Sequence, residues 1–203
     1  MAETKPRFIT PVGEAKWAHL HKPRPGFTDD KGRSKGDPKY MIDVVFDPAV
    51  ETEWAAWAKK LGADIKALPI QTDKKTGQPM AKQSPLKREL DANDQPTGRW
   101  YVTFKTSDKF KPGVFDEHGR PVAETVLVGN GSRVRVNYTP DTYEAFGGGI
   151  TLYLNAVQVV KLVEYQARDA SAYGFPVEAP PPPTDDDFPD APPEDDSGED
   201  LPF

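Results

Sequence analysis

Residues 40–69 read YMIDVVFDPAVETEWAAWAKKLGADIKALP, and two periodicities meet inside them. Tyr40, Ile42, Val44 and Phe46 fall on one face, with Lys39, Met41 and Asp43 opposite, the period of two expected of a half-buried strand. Beyond Asp47 the spacing changes to three and four. Val50, Trp54, Trp57, Ala58, Leu61, Ile65 and Leu68 form a single helical stripe. Asp47 before Pro48 reads as a cap followed by the first helical position, and Pro69 stops the run, so the spacing predicts one substantial helix over 48–68.

Working outward from that segment, the rest of the chain reads as strands. Residues 7–20 alternate around Gly13, which suits a long strand bent at a glycine bulge. Residues 21–38 hold Pro23, Pro25, Gly26, Gly32, Gly36 and Pro38, a loop. Residues 70–98 are polar and read as irregular, with a short helical turn near 85–90. Trp100 to Ser107 alternates again, and short segments at 114–115 and 122–128 flank a turn at 116–119. Ser132 to Tyr138 puts Val134 and Val136 inward and Arg133 and Arg135 outward. Gly147 to Gly149 reads as a hairpin loop before a long strand, Ile150 to Val163, whose phase slips near Ala156. Five to seven strands, two of them long and bulged, with one packed helix, predict a mainly β fold, a small closed or partly open barrel. Trp100, Phe104, Tyr40, Phe46, Trp54 and Trp57 are expected in its core.

Charge divides the chain in two. Residues 178–203 hold ten carboxylates, eight prolines and no Lys or Arg. The whole chain carries 26 basic and 32 acidic side chains, a net of −6, so residues 1–177 keep 26 against 22, a net of +4. We therefore expect a folded body at 1–166 and a linker with a disordered acidic Pro-rich tail at 167–203. With no cysteine, disulfides and thiolate chemistry are excluded. The polar N-terminus lacks the apolar core of a secretory signal, and no apolar run is long enough for a membrane span, so a cytoplasmic protein without membrane contact is expected. No cofactor is implied.

Cations and exposed rings point to a candidate surface. Lys16 and Trp17 lie on the first strand, with Lys22, Arg24, Phe27, Lys31, Arg33 and Lys35 after it. Tyr101 and Lys105 face outward if Trp100 and Phe104 face in; Arg133, Arg135 and Tyr153 face outward on later strands. Single-stranded nucleic acid requires such a mixture, because cations follow phosphates and flat rings accept unpaired bases. The competing reading is that a surface arginine on a strand is only a solvated charge. Catalytic signals are weak. His19 and His21 alternate without a third ligand placed by spacing. Asp43, Asp47 and Glu51 would suit Mg²⁺ in a nuclease, but Asp47 is accounted for as a cap and Glu51 as a first-turn acid. In the tail, Phe188, Leu201 and Phe203 are apolar groups among acids. A terminal Phe with its carboxylate forms a compact plug for an apolar pocket ringed by Arg or Lys.

The end, Asp195, Asp196, Ser197, Gly198, Glu199, Asp200, Leu201, Pro202, Phe203, resembles the acidic tip of bacterial single-stranded DNA-binding proteins, which also finish in Pro-Phe. The body is unlike that family. From Gly131, Ser132 and Arg133 through Tyr138, Gly149 and Ile150 to Asn155–Gln158 it resembles phage single-stranded DNA-binding proteins related to the T7-type replication protein. That resemblance implies an OB-fold coating single-stranded DNA in phage replication, recombination and repair, without base specificity and without enzymatic activity, in the cytoplasm of the host. It also implies that the tail, through Asp195, Asp196, Glu199, Asp200, Leu201, Pro202 and Phe203, docks replication proteins such as a polymerase or helicase–primase and competes with DNA. One feature departs from the pattern: the helix follows the second strand, whereas the usual OB-fold helix lies between the third and fourth. The alternatives are a strand-annealing mediator, which would suit a homodimer, a Mg²⁺-dependent nuclease, and a DNA-mimicking inhibitor, against which the basic body argues.

Overall fold

The computed structural model describes residues 5–31 and 34–165. Its elements are β1 (Phe8–Ile9), β2 (Gly13–Arg24), β3 (Phe27–Thr28), β4 (Ser34–Lys35), β5 (Lys39–Phe46), α1 (Thr52–Ala67), β6 (Leu86–Leu90), β7 (Pro96–Ser107), β8 (Gly113–Phe115), β9 (Arg133–Tyr143), a 3₁₀ turn (Ala145–Gly147) and β10 (Gly149–Lys161). The expected acidic tail lies outside the described residues.

Five strands form a ring. β2 pairs with β5, β5 with β7, β7 with β10, β10 with β9, and β9 returns to β2. All five pairings are antiparallel except β7 with β10, which meet in parallel at Lys105 and Tyr153. β1 extends the sheet beside β9, β8 lies parallel to β10, and β6 pairs with β7, while β3 and β4 make a separate two-stranded ribbon. The architecture is mainly β and OB-fold-like, with one α-helix among the described residues. β1 is an extra strand before the ring but does not enter it. The helix therefore does follow the second ring strand, and the arrangement is a variant in which α1 connects β5 to β7.

Ring interior and helix share one core. Ile42, Val44, Phe46, Val102, Phe104, Val134, Val136, Leu152, Leu154 and Val157 are buried together with Trp54, Leu61 and Ile65 of α1. Trp54 stacks on Phe46 at 4.6 Å and meets the edge of Trp57 at 5.2 Å. Both indoles keep their polar atom satisfied as they leave water: Trp54 Nε1 donates to the Val12 carbonyl at 3.0 Å, and Trp57 Nε1 to the Tyr138 hydroxyl at 2.9 Å. Trp57 and Trp100 are only partly buried, packed against the core instead of inside it.

Several expectations are corrected. The helix begins at Thr52, not at 48, because residues 48–50 make a separate turn: Asp47 Oδ1 accepts the Ala49 N–H at 2.8 Å and the Asp47 carbonyl accepts that of Glu51 at 2.8 Å. Asp47 thus caps that turn, and Val50 is exposed. The 7–20 strand is two strands, and the irregularity in β2 falls at Trp17, where its register against β5 shifts between Lys16 and His19. Gly13 has another role: a Cβ there would collide with Val44 Cγ1 and meet the Trp54 ring at 3.0 Å. The loop expected from residue 21 starts only after Arg24. Residues 86–90 are a strand, not a helical turn. Its sequence, LKREL, has no apolar alternation because none of its residues is buried, and a turn follows in which Asp91 Oδ1 accepts the N–H groups of Asn93 and Gln95. Residues 122–128 hold no strand. The phase slip in the last strand appears as a register shift between Leu154 and Ala156.

Because the space for a side chain at residue 13 is already filled, Gly13→Ala is expected to destabilise the fold by about 1–3 kcal/mol, as overpacking does. A lowered urea midpoint with an unchanged slope is the outcome expected; an unchanged midpoint would contradict it.

Candidate nucleic-acid interface

Alternation on β5 and β7 builds the outer face. Since Val102, Phe104 and Thr106 are buried inside the ring, Tyr101, Thr103 and Lys105 face outward, opposite Val45, Asp43 and Met41 of β5. Next to them on β2 stand Lys16, opposite Asp43, and His19, opposite Met41. Here lies an open cleft of about 430 Å³, lined by Lys16, Trp17, Asp43, Val45, Arg88, Glu89, Leu90, Tyr101 and Asn130. Val45 is 1% exposed yet lies outside the core cluster, so it is floor to the cleft, not filling for the ring.

Trp17 is 63% exposed and has a φ of 51°, a left-handed conformation that costs a bulky residue energy. Its backbone N–H donates to Asn130 Oδ1 at 3.0 Å. The segment that presents Asn130 is fastened to β2 just beyond it, through Gly131 N to the Ala15 carbonyl and Ala15 N to the Ser132 carbonyl. A ring is thereby held open to solvent at the mouth of a cleft whose opposite wall carries Tyr101.

The electrostatics of this face are uneven. Lys16 is paired with Glu89, and Arg99 with Glu14 at 2.6 Å, so neither is a bare cation. Burial alone would raise the Glu89 carboxyl, but bonds from Lys16 and Thr97 and the charges of Lys16 and Arg99 hold it below the usual carboxylate range. Asp43 behaves oppositely: burial pushes it up, against the Thr103 hydrogen bond at 2.6 Å and the charges of Lys87 and Arg24. Along the row towards β10 the cations crowd one another. Lys105 is held below the ordinary lysine value first by desolvation and then by Lys39 and Lys87. Tyr153, 42% exposed, pairs with Lys105 across the parallel contact.

The candidate residues therefore separate. Lys16, Trp17 and Tyr101 meet in one cleft, and Lys105 and Tyr153 share its sheet. Arg24 lies at the far end of β2, opposite Lys39, with Lys22 exposed beside it and Lys31 in the loop beyond. Arg33 and the side chain of Lys35 lie outside the described residues, as do Asp195, Asp196, Glu199, Asp200, Leu201, Pro202 and Phe203. Arg133 and Arg135 stand elsewhere: Arg133 binds Glu51 at 3.0 Å and the Val12 carbonyl at 3.2 Å, and Arg135 lines a hollow with Ile9 and the start of α1. Sequence reading missed Lys39, Lys87, Arg88 and Asn130. The alternation that places Met41 outward also places Lys39 outward, but nothing in LKREL announced a strand. The carboxylates weighed for Mg²⁺ have other partners: Thr103 for Asp43, and Arg133 and the Asp47 N–H for Glu51. Among the described residues no group of three His, Asp or Glu side chains is placed to hold a metal ion. No helix of the described residues is long and apolar enough to cross a membrane.

No protein-family model and no curated protein matches the sequence. Solved structures do match the fold. The single-stranded DNA-binding protein gp2.5 of bacteriophage T7 superposes with a TM-score of 0.55 at 18% identity, over 86% of this chain and 96% of that one. The single-stranded DNA-binding protein of bacteriophage Enc34 gives 0.53 at 19% identity over 83% of this chain and 90% of its own. Its C-terminally truncated form gives 0.54 at 20% identity over 76% and 85%. The chain thus shares its fold with these phage proteins.

The folded state holds the Lys105 proton less tightly than the unfolded chain does. Its charged form consequently opposes folding below the folded pKa, and the penalty fades as pH rises towards the ordinary lysine value. Lys105→Met is therefore expected to raise the urea midpoint at pH 7, and to do so less at pH 11. An equal gain at both values would show that the charge is not the cause.

Proposed function

We propose that this chain binds single-stranded DNA without reading its sequence, across the outer face of β2, β5, β6 and β7. The observation that carries the proposal is the pairing of an exposed indole, held in a left-handed backbone at the cleft mouth, with Tyr101 on the facing wall and a crowded row of lysines beyond. Unpaired bases stack on the rings, while Lys39, Lys87, Lys105 and Arg24 follow the phosphates. Lys16 serves by exchanging Glu89 for a phosphate, and Tyr153 extends the track past Lys105. No donor–acceptor code of a groove is needed, so the binding is sequence-tolerant. The match of fold to phage proteins that bind single-stranded DNA supports this reading.

The biological role that follows is coating of single strands in phage replication and recombination, in the cytoplasm of the host. The tail adds regulation: its ten carboxylates form a tethered polyanion that competes with DNA for the cationic row. The same tail docks replication proteins.

Titration with a homopolymer oligonucleotide, followed by tryptophan fluorescence, tests the face. Trp17→Ala and Tyr101→Ala are each expected to weaken binding by about 5- to 150-fold, the range of one lost base stack. Unchanged affinity in both variants would refute the choice of face. Lys39→Gln combined with Lys87→Gln should make the plot of log K against log salt shallower by roughly 1.4, at about 0.7 per phosphate contact. Deleting residues 184–203 should tighten binding, most at low salt; equal affinity with and without the tail at every salt concentration would end the competition idea.

A further inference from the structure

Residues of five strands line up in one rung across the sheet. His19 of β2 stands opposite Met41, Met41 opposite Lys105, Lys105 opposite Tyr153, and Tyr153 opposite Thr139 of β9. Phe8 pairs with Tyr138, the residue before Thr139, which brings Arg7 to the end of the same row. The row thus leaves the face of β2, β5 and β7 and continues over β10 and β9. At that point the sheet is open. β7 and β8 both run parallel to β10, β7 meeting it at Tyr153 and β8 at Ala156–Gln158, and the residues between them swing away. The gap is a hollow of about 630 Å³, and no carboxylate lines it. Its lining includes two rings, Tyr153 and Phe110. Phe110 is 70% exposed and is presented by a turn in which its N–H donates to the Ser107 carbonyl at 3.0 Å.

Two oriented polar groups share this lining. Asn155 is the extra residue of the bulge in β10, where pairing with β9 steps from Leu154 to Ala156. Its amide donates to Asn137 Oδ1 at 3.0 Å and to Thr139 Oγ1 at 2.9 Å. Both donors of that amide are thereby committed and its oxygen is an acceptor, while the Thr139 hydroxyl, having accepted, has a proton to donate. The cations are Lys111, which is tied to Glu124, and Arg7, which forms no ion pair among the described residues. We propose that this hollow is a pocket for one unpaired base. Single-stranded DNA follows the rung past Lys105, one base turns off the sheet to stack on Phe110, Asn155 and Thr139 bond its edge, and Arg7 takes the adjoining phosphate. Each of the four bases carries both a donor and an acceptor on its Watson–Crick edge, so the pocket stays tolerant of sequence. That edge is free only outside a duplex, so the pocket selects single strands over double. The inference rests on the DNA-binding reading of the outer face and adds to it an anchor beyond β10.

Anisotropy titrations of the full chain with a fluorescent oligothymidylate and with a hairpin duplex test the pocket. Phe110→Ala removes an exposed ring, so the urea midpoint should not move, while affinity for the single strand should fall by about 5- to 150-fold, the range of one base stack. Asn155→Leu should weaken it by about 2- to 12-fold, the range of one hydrogen bond. Duplex affinity should stay within twofold in both variants, so that the preference for single strands shrinks with the loss. Irradiation of an oligonucleotide carrying 5-iodouracil should crosslink a peptide that contains Phe110. Undiminished single-strand binding by Phe110→Ala would overturn the pocket; whether Trp17→Ala and Tyr101→Ala then still weaken binding shows if the outer face stands without it. Equal losses for duplex and single strand would also overturn it, because a paired base cannot enter.

Discussion

Trp54 lies flat against Phe46, and it can do so because residue 13 has no Cβ to hold the helix away. That close approach fastens α1 to the ring at the point where β2, β5 and the helix meet, and much else follows from it. With the indole seated, Val12 accepts its N–H, Trp57 reaches Tyr138 on β9, and Phe104 joins the same group of rings. One contact thus connects the helix with strands from both ends of the chain. The aromatic group contributes more than its buried area, because edge and offset contacts between rings add to the hydrophobic term.

With the interior fixed, the exterior is decided by the pleat. Every inward residue on β5 and β7 commits its neighbour to the outer face, so the core that buries Val102 and Phe104 is also the reason Tyr101 and Lys105 are presented together. The face is built at some cost to stability. Trp17 holds an unfavourable backbone conformation, the Asp43 carboxylate loses hydration with only partial relief from Thr103, Lys87 and Arg24, and Lys105 loses hydration and is crowded by Lys39 and Lys87. Such costs persist where the surroundings over-determine the geometry, as Asn130 and the Gly131–Ala15 bond do for Trp17. Anionic polymer brought to this face would relieve the crowding of like charge.

The period-2 runs at 40–46, 100–107, 132–138 and 150–163 were legible because each strand buries one face against a single core. The helix stripe was legible for the same reason. What escaped reading were elements held by something other than burial. β6 buries none of its residues, so its sequence carries no apolar alternation. The separation of Phe8–Ile9 from Gly13–Arg24 follows from pairing with residues 136–138, and the placement of the irregularity at Trp17 and not Gly13 from contacts with residues 130–132, all more than a hundred positions away. Arg133 and Arg135 were correctly read as outward, but outward on β9 means towards the start of α1, where Glu51 waits.

Sequence alone determined which side of each strand is apolar, that one helix packs on the sheet, and that charge is segregated between residues 1–177 and the carboxyl end. These are local or compositional properties, set by side-chain chemistry at fixed spacing. Tertiary structure decided which outward residues become neighbours. Closing a ring brings β10 to β7 and β9 to β2, pairings between segments far apart in the chain that no spacing encodes. That closure sets Lys105 beside Tyr153, while the succession β2, β5, β7 across the sheet brings Trp17 and Tyr101 to one cleft.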